Sequence, residues 1–148
     1  MTSFSMKVEG VDDLRRLMKR YGRKAEGALD DGLKRAAADT VTNARRSIQR
    51  GPKTGLTYPP IEGRRGAPHQ ASAPGQAPAT DTGSLVQSIA WQRQHGGYAS
   101  GTRLKYGAHL EFGTRNMAPR PWLRPAADQA VDDLVPRIVA ALKRIRSR

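Results

Sequence analysis

Three histidines, two serines in a glycine-containing turn and one acid in a basic stretch are the side chains of this 148-residue chain with chemistry to test first. His69 lies in a proline-rich segment, His95 beside a glycine pair, and His109 just before Leu110-Glu111-Phe112-Gly113. Metal sites repeat their ligands at short, regular spacings, and these three follow none. His109 and Glu111 would share a face on a strand, as an acid-base or metal pair requires, but would point apart on a helix. Ser84 and Ser88 lie in a glycine-containing turn, without a glycine-serine-glycine elbow or a partnered base. Gly96-Gly97 and Gly113 lack the glycine and lysine pattern of a phosphate-binding loop. The residues therefore give no catalytic group, no metal ligand and no cofactor site. A small hydrolase or nuclease remains as a class resting on the histidines alone, and loss-free mutation of all three would dispose of it.

The densest group of constrained residues is Leu110-Glu111-Phe112-Gly113-Thr114, followed by Ala118-Pro119-Arg120-Pro121-Trp122-Leu123-Arg124-Pro125-Ala126. It reads as an apolar run ending in Phe112, a sharp turn at Gly113, and a proline-braced start to a long C-terminal helix. Glu111 stands among Lys105, Arg115, Arg120 and Arg124. It is either a surface salt bridge, worth at most about 1 kcal/mol, or one half of an ion pair between subunits. Trp122 reads as a buried anchor holding the helix onto the sheet, with an interface hot spot as the other reading. Arg120 and Arg124 would follow one another on a helix face, able to meet a partner or a phosphate, while solvated charge is the simpler account of Arg124.

Positioning these residues falls to elements legible in the spacing of apolar side chains. Phe4, Met6 and Val8 alternate with polar neighbours through Met1–Gly10, the period of a strand. Asp12 and Asp13 then suit the first turn of a helix with Leu14, Leu17, Met18 and Tyr21 on its apolar stripe. Gly22 breaks or bends it, and Leu29, Leu33, Ala36, Ala37, Thr40, Ala44 and Ile48 carry a narrow stripe to about Gln49. Between Gly51 and Thr80 six prolines and five glycines exclude regular structure, so residues 51–80 read as a loop that is mobile in the isolated protein and contacts a neighbour in an assembly. Asp81 or Thr82 caps one helical turn leading to Leu85. Ser88–Gln94 and Tyr98–Leu104 pair as an antiparallel hairpin through Gly96-Gly97. Tyr106–Phe112 is ambiguous between helix and strand. Ala127, Val131, Leu134, Ile138, Leu142 and Ile145 line a final helix, bent at Pro136 and ending in the basic Lys143, Arg144, Arg146 and Arg148.

Composition limits what such a chain does. Its length suits one domain, residues 1–148, with a modest core. Only 5% of residues are aromatic, so the core is built from Ala, Leu, Val and Ile on helices. Without cysteine there is no disulfide and no thiolate chemistry, which fits assembly in a reducing cytoplasm. No run of about 20 apolar residues provides a membrane span, and Met1–Glu9 lacks the apolar core of a signal peptide. A net charge of +13 attracts nucleic acid, acidic proteins or anionic surfaces without choosing between them.

Together with Asp81-Thr82-Gly83-Ser84-Leu85-Val86-Gln87-Ser88-Ile89, the Tyr106–Ala126 stretch resembles the small head-tail joining or tail-completion proteins in the neck of long-tailed double-stranded DNA phages. The resemblance is strong in those two stretches, weak in the first helices, and departs from the shortest members at the 51–80 insertion. It implies a small α+β fold, an antiparallel sheet packed against a long N-terminal and a long C-terminal helix. It implies a structural role without catalysis: a ring, six copies to match the tail, that completes the tail and joins it to the DNA-filled head. Partners would be further copies of the chain, head-connector proteins, tail-tube or tail-terminator proteins, and DNA in passing, with no membrane. The location would be the virion neck, reached from the host cytoplasm. Glu111, Arg115, Arg120, Trp122 and Arg124 become candidate interface residues, and Thr82, Gly83, Gly113 and Pro121 the turn residues of the motif. A basic protein binding nucleic acid non-specifically is the alternative, without a recognition motif or stacking aromatics to support it.

Overall fold

Helix α1 (Arg23–Arg50) begins where Gly22 takes a positive φ of 71°, so the expected break at this glycine is present. The computed structural model describes Arg15, Lys19, and residues 22–60 and 68–146. The expected strand at Met1–Gly10 and the apolar stripe Leu14, Leu17, Met18 and Tyr21, with Asp12 and Asp13, lie outside these residues. After α1 come β1 (Thr57–Tyr58), β2 (His69–Gln70), α2 (Ser84–Ser88), β3 (Ala90–Gln94), β4 (Gly97–Gly101), α3 (Lys105–Phe112) and α4 (Arg124–Arg146). The fold is α+β, two long helices packed together with small antiparallel hairpins.

Helices α1 and α4 pack antiparallel, because the start of each meets the far end of the other. Ala25 and Leu29 bury with Leu134 and Ile138, flanked by Leu33, Ala36 and Leu142. At the opposite end Val41, Ala44 and Ile48 bury with Leu85, Val86, Ile89, Trp122 and Ala126. Gly32 allows the close approach: a Cβ there would lie 3.0 Å from Ile138 Cγ1. Small side chains thus serve the packing that aromatic ones serve elsewhere. Pro136 sits inside α4 on its exposed side, where its missing N–H costs a bond facing solvent rather than the core.

The β3–β4 hairpin lies across α1. Ser100 Oγ donates to the Ala37 carbonyl at 2.9 Å, and Tyr98 Oη to Asp30 Oδ2 at 3.0 Å. Arg93 pairs with Asp30 at 3.2 Å, and Lys34 lies 5.9 Å from the centre of the Trp91 ring. Gln94 pairs with Gly97, so the turn is His95-Gly96, with Gly96 at φ 82°, and not Gly96-Gly97 as expected. One residue of positive φ suffices for a tight turn, which leaves Gly97 to the strand.

Regular structure exists inside 51–80, contrary to expectation. β1 pairs with β2, Thr57 opposite Gln70 and Tyr58 opposite His69. Gly55 N–H donates to Ala71 and Ala71 N–H to Leu56, continuing the ladder. Gln76 clasps the two arms: its Oε1 accepts from Thr54 N–H and Ala73 N–H, and its Nε2 donates to Thr54 Oγ1. Prolines at the margins of the two-residue strands interrupt none of these bonds.

Candidate functional site

Tyr106–Phe112 resolves as helix α3, and this choice settles the fate of the acid it carries. Glu111 turns inward, 9% exposed, while His109 two positions earlier stays in solvent, so the two do not form an acid-base or metal pair. Glu111 Oε2 accepts the backbone N–H groups of Trp122 and Leu123, both at 2.8 Å, and Oε1 accepts that of Arg124 at 2.9 Å. The carboxylate therefore caps α4 from eleven residues away. Of the two roles expected for Glu111, the surface salt bridge gives way to this one. Three N–H groups at a helix start offer a negative charge more than a mobile surface arginine does, since they are already in place and sheltered from water. Pro125 follows in the first turn, where its missing N–H leaves nothing to satisfy.

The return of the chain from α3 to that cap is rigidly held. Gly113 has φ 76° and ψ −179°, a conformation for glycine alone, and a Cβ there would stand 2.7 Å from the Met117 carbonyl oxygen. Thr114 and Met117 exchange backbone hydrogen bonds at 2.8 and 3.3 Å across a tight turn. Arg120 N–H donates to Leu110 O at 2.7 Å, satisfying a carbonyl at the end of α3. Arg120 thus precedes α4, outside the helix. The expected helix-face pair with Arg124 does not form, and its Nε is buried without a hydrogen-bond partner among the described residues.

Trp122 is 2% exposed and donates Nε1–H to the Gly107 carbonyl at 3.1 Å. It anchors α4, but onto α1, α2 and α3 rather than onto the sheet. The hairpin meets α1 nearer its start, at Asp30 and Ala37, and the small helices supply the apolar surface around the tryptophan. Gly107 is part of the same seat, with its Cα hydrogen facing Thr102 Cγ2, Leu85 and the Trp122 ring.

Upstream, Gly83 at φ 78° stands at the N-cap of α2, the position expected of Asp81 or Thr82; Thr82 Oγ1 instead bonds the Ser84 hydroxyl at 2.8 Å. At the other end of α2, Arg45 Nε and Nη2 donate to the carbonyls of Val86 and Ile89 at 3.1 and 2.7 Å. Sequence reasoning passed over Arg45 as one of several surface cations. Its role depends on a contact forty residues away, which no spacing reveals. Ser88 Oγ bonds Thr102 at 2.6 Å and the Leu85 carbonyl at 2.8 Å, so it is structural.

The two motif stretches thereby meet in one place, Leu85, Val86 and Ile89 against Trp122 and Ala126. Beside them opens a groove of about 330 Å³ with Ile48, Leu85, Leu110 and Tyr106 on its apolar side and Asp81, Thr82 and Ser84 on its polar side. A shallower basic cleft runs along the end of α1 between Arg46, Gln49 and Arg50. Arg115 and Arg124 are exposed, and Phe112 is 62% exposed. Among the described residues no three His, Asp or Glu side chains are close enough to hold a metal ion, and no helix is long and apolar enough to cross a membrane. No family model, curated protein or solved structure matches the chain.

Proposed function

We propose that this protein is a structural subunit of the neck of a long-tailed double-stranded DNA phage or prophage, several copies of which form a ring that completes the tail and joins it to the filled head. The observation that carries the reading is the convergence of the two stretches that resemble tail-completion proteins. Asp81–Ile89 and Tyr106–Ala126 form a single braced unit around Trp122, whose purpose in the monomer is to set where α4 starts. A rigid unit without internal chemistry is what a joint made of repeated copies needs. Exposed Leu56, Tyr58, Phe112, Val135 and Val139 give such copies and their head-side and tail-side neighbours apolar surface to cover. The positive charge would face the DNA passing through the ring or acidic neighbouring proteins.

Electron microscopy of particles made without this gene tests the reading. Full heads beside unjoined tails, or tails with abnormal ends, are the expected result. Intact joined virions would overturn it and promote the second reading, non-specific nucleic-acid binding, for which the exposed Arg46–Arg50 cleft is the specific observation. That binding would weaken steeply with salt as phosphate counterions are released.

A further inference from the structure

We infer that the corner Phe112–Arg115 of one copy seats in the groove between α2 and α3 of the next, so that identical chains associate head to tail. The inference rests on the ring reading above and specifies its contact. Tyr106 and Leu110, which line the groove, and Phe112 all lie on α3. At 3.6 residues per turn, Phe112 projects about 200° round the helix from Leu110, so knob and groove face opposite ways. Two surfaces on opposite sides of one helix cannot satisfy each other within a two-fold dimer that uses the same patch twice. They make a heterologous contact, which repeats into a ring or a filament.

Size, charge and stiffness name the occupant. The groove, about 330 Å³ with an apolar wall of Ile48, Leu85 and Leu110, has room for an aromatic side chain. Its exposed acid, Asp81, matches the exposed Arg115 three residues beyond Phe112. For a chain of net charge +13, a local opposite-charge pair at a self-contact offsets repulsion that would otherwise keep copies apart. The corner is also preorganised, since Gly113 and the Thr114–Met117 turn hold it, so docking orders little that was loose.

The natural chain contains no cysteine, so introduced ones report without background. Ser84→Cys, at the groove, and Asn116→Cys, at the corner, are both exposed positions. Mixed single variants of the full chain should form an 84–116 disulfide under mild oxidation, and the double variant a ladder of higher species, in purified protein or in assembled particles. Phe112→Ala should cut the yield roughly tenfold. Asp81→Arg and Arg115→Asp should each cut it and together restore it. No 84–116 link in either preparation, links only between like positions, or no restoration by the double charge reversal would overturn the contact. An 84–116 link in a chain whose loss leaves virions joined would keep the contact and discard the neck.

Discussion

Glu111 shows how one carboxylate can determine a local structure. Its two oxygens answer three backbone N–H groups at the start of α4, in a site nearly closed to water. Glu111→Gln keeps one accepting oxygen but loses the charge and sets an amide N–H₂ against a backbone donor. The expected cost is about 2 kcal/mol. Glu111→Ala abandons all three donors and should cost about 3 kcal/mol or more. Urea unfolding checks both: a fall in midpoint at unchanged slope is expected, with Ala below Gln. Equal midpoints for wild type and Glu111→Ala would show that water replaces the carboxylate at no loss. The motif made Glu111 and Trp122 conspicuous in the sequence, and the buried-anchor reading of Trp122 describes its place, though not the sheet it was to rest on. The role of Glu111 was not legible, because a cap delivered from eleven residues away leaves no local pattern of the kind that a Ser, Asp or Asn at the N-cap leaves. Arg45 was hidden for the same reason, its partners being carbonyls, which every residue has.

Periodicity made the long elements readable. The stripe of Leu29, Ala37, Thr40, Ala44 and Ile48 is buried along α1, and Ala127, Leu134 and Ile138 along α4, because helix packing selects side chains at that spacing. Two-residue strands have no period to detect. β1 and β2 are held by backbone bonds and by the Gln76 amide, so the proline and glycine content of 51–80 pointed away from them. The hairpin was legible, and its hold on α1 can be tested with pH. Partial removal from water, and then the hydrogen bond donated to Asp30, push the Tyr98 phenol above its ordinary value of 10.0. A raised folded value means that the neutral phenol stabilises docking fully below pH 10 and that this contribution is lost as pH rises through the folded value. Thermal midpoints from about pH 9 to about pH 12 should fall more steeply for wild type than for Tyr98→Phe. Parallel curves would assign the alkaline loss to other groups.

Taken whole, the molecule spends its hydrophobic material at its two ends. One cluster gathers Trp122, Ile48 and α2; the other joins Leu29 to Leu134 and Ile138 with Gly32 against them, and small buried residues, Ala37, Ala127 and Ala130, complete the two helices' buried faces. The end braced by Glu111 and Trp122 carries contacts from two further helices, whereas the cluster at the other end holds four buried side chains among the described residues. Opening should therefore be uneven, as it is wherever contact density varies along a fold. Amide protons of α1 from Ala25 to Leu33 should exchange by a partial opening well before those from Val41 to Ile48, which wait for global unfolding. A single exchange rate along α1 would show one cooperative unit instead. A helical pair stapled at one end behaves as a tweezer: the braced end holds station while the other can part and close, and in the ring proposed above this would let stiff joints absorb small changes in diameter without breaking any of them.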